Sequence, residues 1–425
     1  MPDAIVLSHE HELTRLAKAV PEAVDRAVVA GDPCLDRMRA SRQMRRQYRS
    51  ALGVEPDQHV VTVSSTWGPN SLLGRHPDLI AALLGELTLD DHVVAAIVHP
   101  NAWFAHGQWQ LRTWLADALR SGLRLIPPVI GWQHTILASS VVVGDHGAVT
   151  AYAASNAIPT LLASFPETEV APGSAVDVLG RTAKRLDPLR SFSEQISTAR
   201  TENVPGDVAS IAELASSRPG ECAQLLRSTF YRLMDLSEPS TAVPVFPYAA
   251  TDLHPNRQPV QACWLACDPH TVGSGAAVRV RRWPADVTVA GGRGPRAVPT
   301  YLAVDSEHPR RDLYSNADIV VVGDLGDPDI DSRLADIVRT RPACSIAVAV
   351  TGPTHLRIHH RRLGPVGAEL SSPITGVSDV SAVAAAIHDR HIGGPSDQLP
   401  SATAVLLGSQ RLSVVITPVI EPPAT

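Results

Sequence analysis

Short apolar runs alternate with amphipathic stretches over residues 1–190. Runs at 5–7, 59–64, 93–98, 123–126, 141–143 and 160–163 have the length and composition of buried strands. Helical periodicity lies between them, for example at 79–87 and 132–138. Strands separated by helices of about ten residues predict right-handed βαβ units and a parallel sheet. The pattern therefore predicts an α/β fold with a Rossmann-like parallel sheet.

Polar, glycine and proline residues gather directly after these strands, at 64–70, 99–101, 127–132 and 144–148. In open α/β sheets, ligands bind outside the carboxyl ends of the strands. We therefore expect the chemistry of the chain to lie in these four loops.

The rest of the chain has a different pattern. Residues 191–275 contain a predicted helix at 211–235 and a proline-rich stretch, so they are predicted to be a helical and proline-rich connection. Strand-like runs return from 276, with predicted helices at 331–339 and 379–388. These signals predict three parts: a lobe at 1–190, the connection at 191–275 and a second, smaller α/β domain at 276–425.

Composition excludes several classes of protein. The 425 residues carry a net charge of −6, which gives no general attraction to nucleic acid or anionic lipid. The basic run at 355–362 has no aromatic residues, so we interpret it as a solvated face and expect no nucleic-acid partner. No apolar run reaches the length of a membrane span, and the first residues lack the pattern of a signal peptide.

The five cysteines form neither a disulfide framework nor a Cys-x-x-Cys pair, which favours a reducing cytoplasm. His9 and His11 have the spacing of a metal pair, but no third ligand accompanies them. The sequence therefore predicts no metal and no cofactor.

The segment Gly144-Asp145-His146-Gly147-Ala148 joins a strand to a helix through glycines. Free backbone N–H groups and the helix dipole suit a phosphate at such a junction, and His146 could donate to a phosphate oxygen. Asp145 could orient His146. In the alternative interpretation, Asp145 only caps the helix and His146 is a surface histidine.

Two other loops carry candidate donors. His99 follows an apolar strand and could donate to a leaving diphosphate, with Asn101 beside it. Ser65, Thr66 and Trp67 place two hydroxyls and an indole after another strand, where they could hold a phosphate and cover a base. Ordinary turns remain the alternative for both loops.

Taken in order, these elements resemble the CDP-glycerol glycerophosphotransferases, and within them an uncharacterised actinobacterial group. Gly31-Asp32-Pro33-Cys34-Leu35-Asp36 resembles their Gly-x-Pro-x-x-Asp segment. The arginine-rich residues 42–49, the loop Ser65-Thr66-Trp67-Gly68, His99-Pro100 and the segment 144–148 then follow in the family's order. The resemblance covers about residues 1–190.

The resemblance implies the C-terminal, nucleotide-binding lobe of a GT-B glycosyltransferase. It implies that His99 contacts the diphosphate as the catalytic residue, that 144–148 cradle it, and that Trp132 lies near the base or ribose. The implied activity is transfer from a nucleotide-diphosphate donor, CDP-glycerol or a nucleotide-sugar, to a cell-envelope polymer or glycan. The implied location is the cytoplasm, with a peripheral position at the inner face of the plasma membrane as an extension of that role.

Two departures keep another hypothesis open. The family's Tyr-Ser-Ser is His146-Gly147-Ala148 here, so its phosphate-binding hydroxyls are missing. Little chain precedes Gly31, so we expect the N-terminal acceptor lobe to be largely absent, encoded upstream or supplied by a partner chain. The alternative function is a non-catalytic nucleotide-binding or protein-interaction module.

Overall fold

A computed structural model describes residues 1–202, 205–272, 275–287, 300–323, 326, 328–374, 376–392 and 402–418. The chain divides into two compact units. The first comprises Met1–Leu79, Val94–Leu111 and Arg124–Asn256, and the second comprises Ile80–Val93, Arg112–Leu123 and Arg257–Thr425.

Seventeen strands are found within the described residues. They are β1 (Ile5–Leu7), β2 (Ala27–Val29), β3 (His59–Ser65), β4 (His92–Val98), β5 (Arg124–Leu125), β6 (Val141–Gly144), β7 (Thr160–Leu162), β8 (Lys184–Arg185), β9 (Ala262–Val272), β10 (Gly275–Pro284), β11 (Thr300–Asp305), β12 (Ile319–Val322), β13 (Ile346–Gly352), β14 (His355–His360), β15 (Gly364–Leu370), β16 (Ala402–Leu407) and β17 (Gln410–Pro418).

The same residues contain seventeen α-helices. They are α1 (His11–Ala19), α2 (Pro33–Ala40), α3 (Arg45–Ala51), α4 (Leu72–Arg75), α5 (Leu79–Glu86), α6 (Pro100–His106), α7 (Gln108–Trp114), α8 (Ala116–Arg120), α9 (Trp132–Ala138), α10 (Ala148–Ser155), α11 (Ala175–Thr182), α12 (Phe192–Thr201), α13 (Pro205–Ala215), α14 (Cys222–Leu233), α15 (Arg311–Ser315), α16 (Ile330–Thr340) and α17 (Val377–Ile392). Within the described ranges, none of them combines the length and hydropathy that a bilayer span requires.

The six strands β3 to β8 form one sheet in the spatial order β5-β4-β3-β6-β7-β8. Chain order therefore runs outward from β3 in one direction, returns to its other side at β6, and runs outward again. This is the strand order of a doubly wound Rossmann sheet, and its switch point lies between β3 and β6. The predicted parallel α/β sheet is confirmed, since β3–β6, β4–β5, β6–β7 and β7–β8 all pair in parallel.

Burial explains why the strand predictions succeeded in this unit. Six of the seven residues in β3, and likewise in β4, are buried. Strands covered on both faces read as continuous apolar runs. A short parallel pair, β1 with β2, stands apart from this sheet.

Helix boundaries were predicted less well. The arginine-rich stretch after residue 35 is two helices, α2 and α3, separated by a turn that begins at Ser41. Asp32 caps α2 through a 2.9 Å bond from the Leu35 N–H, and Pro33 occupies the first helical position. The predicted helix at 211–235 is likewise divided into α13 and α14.

The second unit contains a closed barrel of nine strands, β10-β16-β17-β15-β14-β13-β12-β11-β9. Alternate residues of its strands belong to an inner apolar cluster, which also contains the alanine-rich middle of α17. A second cluster contains the other faces of β11, β12 and β13 together with α16. Since α17 belongs to the inner cluster, it fills the barrel while α16 covers the outside.

This barrel corrects the expectation of a small α/β domain at 276–425. Strand β9 lies in the segment predicted to be a connection, yet it pairs with β10 and β11. The strands β14, β15 and β17 were not predicted, because their exposed and buried positions alternate and include polar residues. The basic run at 355–362 is not wholly a solvated face, since His360 is buried.

Candidate functional site

Three loops meet at the carboxyl edge of the sheet, near the switch point between β3 and β6. The His99 N–H donates to the Ser65 carbonyl at 3.0 Å, which joins the ends of β4 and β3. The loop after β6 meets the loop after β3 through Asp145. The structure therefore brings together three of the four loops in which the sequence placed the chemistry.

Asp145 holds the loops together. Its side chain is fully buried and accepts the backbone N–H groups of Thr66 and Leu72, both at 2.8 Å, and of Gly147 at 3.0 Å. Burial raises the pKa of Asp145, whereas the three amide donors act in the opposite direction. The expectation that Asp145 orients His146 is wrong, because its hydrogen bonds go to these backbone groups.

His146 faces a different partner. Its Nε2 lies 3.2 Å from a carboxylate oxygen of Glu169, and its Nδ1 is buried with no hydrogen-bond partner among the described residues. The same Glu169 accepts a hydrogen bond from the Asn70 side chain. The His146 ring therefore has one nitrogen that protein groups do not satisfy.

The start of α10 lacks a side-chain cap, since its N-cap is Gly147. Asp145 takes the Gly147 N–H, while the next two N–H groups, of Ala148 and Val149, have no acceptor in the described part of the chain. A Cβ on Gly147 would lie 3.3 Å from the Thr66 Cβ, and one on Gly144 would lie 2.3 Å from the Thr150 Oγ1. Because neither glycine has a side chain, the neighbouring protein segments can approach it closely. The free amides at the start of α10 can bind an anion.

His99 is the N-cap of α6. Its Nδ1 accepts the N–H of Asn101 at 3.0 Å, so the neutral ring carries its proton on Nε2. The side chain is partly exposed and Asn101 is exposed. His99 can therefore donate from Nε2 while its other nitrogen fixes the orientation of the ring.

The hydroxyls after β3 differ from each other. The Ser65 hydroxyl is buried, donates to the Thr66 carbonyl and accepts the Leu73 N–H. The Ser65 hydroxyl therefore stabilises its own loop, whereas the sequence predicted that it would donate to a ligand. Thr66 is partly exposed, and the Trp67 side chain is 57% exposed, so both remain accessible.

A cavity of about 280 Å³ touches the start of α10. The starts of α1, α2, α10 and α11 line it through His11, Asp32, Ala148 and Ala175 respectively. Helix starts carry positive dipole ends, so their convergence favours an anionic group. Among the described residues, the amides of Ala148 in α10 and of Ala175 and Val176 in α11 have no acceptor, whereas side chains accept amides at or near the starts of α1 and α2.

Further polar groups line this cavity. Ser155 is 2% exposed, and its Oγ has no partner among the described residues. Arg15 contributes a positive charge, while Glu12 and Asp32 are occupied by backbone amides. The cavity therefore offers a cation, an unsatisfied hydroxyl and the free amides of α10.

Tyr152 connects the cavity to another predicted residue. Its hydroxyl donates to Asp32 at 2.6 Å, and its ring centroid lies 5.5 Å from that of Trp132 at the start of α9. Sequence analysis did not identify Tyr152, Arg15 or Ser155 as candidates. The one available signal was Asp32-Pro33, a cap followed by a helix-starting proline.

The described residues contain no group of three His, Cys, Asp or Glu side chains suited to a metal ion. His9 and His11 lie edge to face, with ring centroids 4.6 Å apart. The His9 Nδ1 accepts the His11 N–H at 3.0 Å, so it is occupied. Burial, followed by the neighbouring His11, lowers the pKa of His9.

No protein-family model matches the chain, and no curated protein sequence matches it either. Among solved structures, the wall teichoic acid polymerase TagF superposes with a TM-score of 0.39 at 14% identity, over 55% of this chain and 57% of TagF. UDP-GlcNAc 2-epimerase from Neisseria meningitidis, bound to UDP-GlcNAc, gives 0.35 at 14% identity over 55% and 62%. A glycosyltransferase from Rickettsia africae gives 0.33 at 11% identity over 55% and 63%.

The chain thus spans less than two thirds of the length of each of these three proteins. Its α/β classification rests on its own strand order.

Proposed function

We propose that the first unit binds a nucleotide-diphosphate donor at the switch point of its sheet and is the donor lobe of a GT-B-like transferase. The observation that carries this proposal is the uncapped start of α10, which lies at the strand-order reversal and borders a cavity. Free amides at a helix start suit the charge and hydrogen-bonding needs of a phosphate.

The proposed donor is CDP-glycerol or a nucleotide-sugar, used for cell-envelope polymer or glycan synthesis. This choice follows from the sequence resemblance at Gly31–Asp36, Ser65–Gly68 and His99-Pro100. The acceptor-binding part of the enzyme would be formed by residues outside this lobe or by a partner chain.

In the proposed mechanism, the amides of Ala148 and Val149 bind one phosphate and the His99 Nε2–H donates to the departing diphosphate. Negative charge grows on that diphosphate as the bond to the transferred group breaks, so a donor fixed in place stabilises the transition state. The His99 Nδ1 bond to Asn101 fixes the ring before the substrate arrives. Thr66, Trp67 and Trp132 are the proposed contacts to phosphate, base and ribose.

Binding is tested by Ala148→Glu with Ala148→Gln as the matched control. A carboxylate in the first turn of α10 should stabilise the helix by about 0.5 kcal/mol but repel a phosphate. We expect CDP-glycerol or UDP-GlcNAc to raise the melting temperature of the wild type and of Ala148→Gln, and to leave Ala148→Glu unchanged. A donor at about 100 times its dissociation constant adds roughly 2.7 kcal/mol of stability, which calorimetry resolves.

Turnover is tested by His99→Asn, because asparagine can still cap α6 but lacks the imidazole Nε2–H. Donor hydrolysis or transfer should fall by about 100-fold or more, with donor affinity changed far less. Unchanged turnover would refute the role of His99. If no nucleotide stabilises the wild type, the interaction-module hypothesis replaces the transferase.

A further inference from the structure

The first unit has a second and larger cavity, of about 1170 Å³, at the opposite edge of the sheet. His59 begins β3, Ser140 precedes β6 and Pro159 precedes β7, and all three line this cavity. It therefore lies at the amino ends of the strands and shares no lining residue with the proposed donor site.

The lining of this amino-edge cavity is strongly basic. It contains Arg45, Arg46 and Arg49 from α3 and Arg200 from α12, against a single carboxylate, Glu55. None of the four arginines forms an ion pair with a carboxylate in the described part of the chain. The chain as a whole carries a net charge of −6, so this concentration of positive charge is local.

Two of the arginines have a structural role. Arg45 donates to the Leu137 carbonyl and, at 2.8 Å, to the Ser139 carbonyl, both around the end of α9. Arg49 donates to the Gln58 carbonyl at 2.6 Å. Carbonyl oxygens orient these guanidinium groups without neutralising them, and burial lowers the pKa of both, with the charge of Arg49 adding to the effect on Arg45.

The other two arginines have no structural role of this kind. The side chains of Arg46 and Arg200 are exposed, and neither donates a hydrogen bond to any described group. They face the cavity together with the hydroxyl-bearing residues Ser50 and Thr201. The guanidinium groups of α3 and α12 that line this cavity provide donors for several anionic oxygens at once.

We propose that the amino-edge cavity binds a ligand that carries two or more phosphate groups and no aromatic base. Its described lining includes no Phe, Tyr or Trp on which a nucleobase could stack. Its four arginines exceed what one phosphate requires, and its volume leaves room for a polyol or sugar phosphate. The inference concerns a site separate from the proposed donor site and does not depend on it.

The test uses inorganic tripolyphosphate as the probe and the double variant Arg46→Ala/Arg200→Ala. Both side chains are exposed, so the variant should keep the melting temperature of the wild type. We expect isothermal titration to show affinity reduced by at least about tenfold, because the probe loses the charge-assisted hydrogen bonds of two guanidinium groups. Arg232→Ala is the matched control, because Arg232 is an exposed arginine of α14 outside this cavity and should leave affinity unchanged.

The two proposed sites are distinguished by testing each variant with the ligand of the other site. Ala148→Glu should leave tripolyphosphate binding intact, and Arg46→Ala/Arg200→Ala should leave stabilisation by CDP-glycerol or UDP-GlcNAc intact. Loss of tripolyphosphate affinity in Ala148→Glu alone would place the anion at α10 and overturn the proposal. The proposal would also be overturned if tripolyphosphate did not bind the wild type. Equal losses of tripolyphosphate affinity in the double variant and in Arg232→Ala would overturn it too, as would a clear preference of this cavity for nucleoside triphosphates.

Discussion

Each unit of the protein buries a charged side chain, and the two are stabilised in different ways. In the second unit, Arg282 is 11% exposed and donates to Asp90 at 2.7 Å and to Asp379. In the first unit, Asp145 is fully buried and accepts only backbone amides. Arg282 pairs directly with carboxylates, whereas Asp145 accepts backbone amides next to an unsatisfied helix start at the sheet edge.

The comparison shows that a buried charge does not by itself indicate a functional site. What distinguishes Asp145 is its surroundings, because the next residues along the chain expose free amides beside a cavity.

The largest effect is expected from Arg282→Met, which leaves the buried Asp90 without this cation. Removing one partner of a buried ion pair costs about 3–5 kcal/mol. Arg281→Met is the control, because Arg281 and its partner Asp268 are both more than a third exposed and their pair should contribute less than about 1 kcal/mol. Denaturant unfolding measures both, and equal losses would contradict the assignment of Arg282 as a buried structural cation.

Asp145→Ala should cost about 3 kcal/mol, because three backbone N–H groups lose their acceptor. Asp145→Asn keeps one acceptor oxygen, so its free energy of unfolding should lie between those of the wild type and the alanine variant. Asp145→Ala should also abolish stabilisation by a nucleotide donor, since the loops after β3 and β6 lose their connection. Retained stabilisation would show that these loops do not depend on Asp145 for their arrangement.

A further effect is expected from pH, through the histidines inside the barrel. The His360 Nδ1 accepts two backbone N–H groups, so its Nε2 donates to the His388 Nδ1 at 2.9 Å. Burial first, and neighbouring positive charge second, lower the pKa of both histidines to about 4. The charges come from His391 for both rings, and also from His388, Arg362 and His359 for His360.

Because these pKa values are lower in the folded state, the unfolded chain binds more protons between about pH 6.5 and pH 4. Stability should therefore decrease as the pH is lowered from about 6.5 to about 4, by on the order of 3 kcal/mol for each histidine. His388→Gln should flatten this dependence when free energies of unfolding are compared at pH 7, 5.5 and 4.5. Identical slopes in the variant and the wild type would show that other groups control the acid response.

The sheet was predictable from the sequence and the barrel was not, for a physical reason. Strands β3 and β4 are buried on both faces, so they read as uninterrupted apolar runs. Strands of the barrel alternate between an inner face and an outer face, so polar residues interrupt their pattern. In β14 this alternation places His360 inside the barrel, where composition alone indicated a solvated run.

The position of the candidate site was predictable from the sequence, but the hydrogen-bond partners of its residues were not. The carboxyl-edge rule for α/β sheets identifies the loops at Ser65, His99 and Gly144 from the sequence alone. The partners of Asp145 could not be identified in this way, because Thr66 and Leu72 lie 79 and 73 positions away in the chain. Likewise, nothing local in the sequence indicates that the Ser65 hydroxyl serves its own loop.

The sequence by itself determined the parallel α/β sheet of the first unit and the position of the polar loops. Those features depend on local periodicity, turn residues and spacing, which the order of residues records directly. Tertiary structure decided which loop amides are satisfied, which helix start stays open, and where four arginines gather around one cavity with a single carboxylate. These depend on contacts between distant segments, and burial makes the energy of each polar group depend on the partners that folding brings to it.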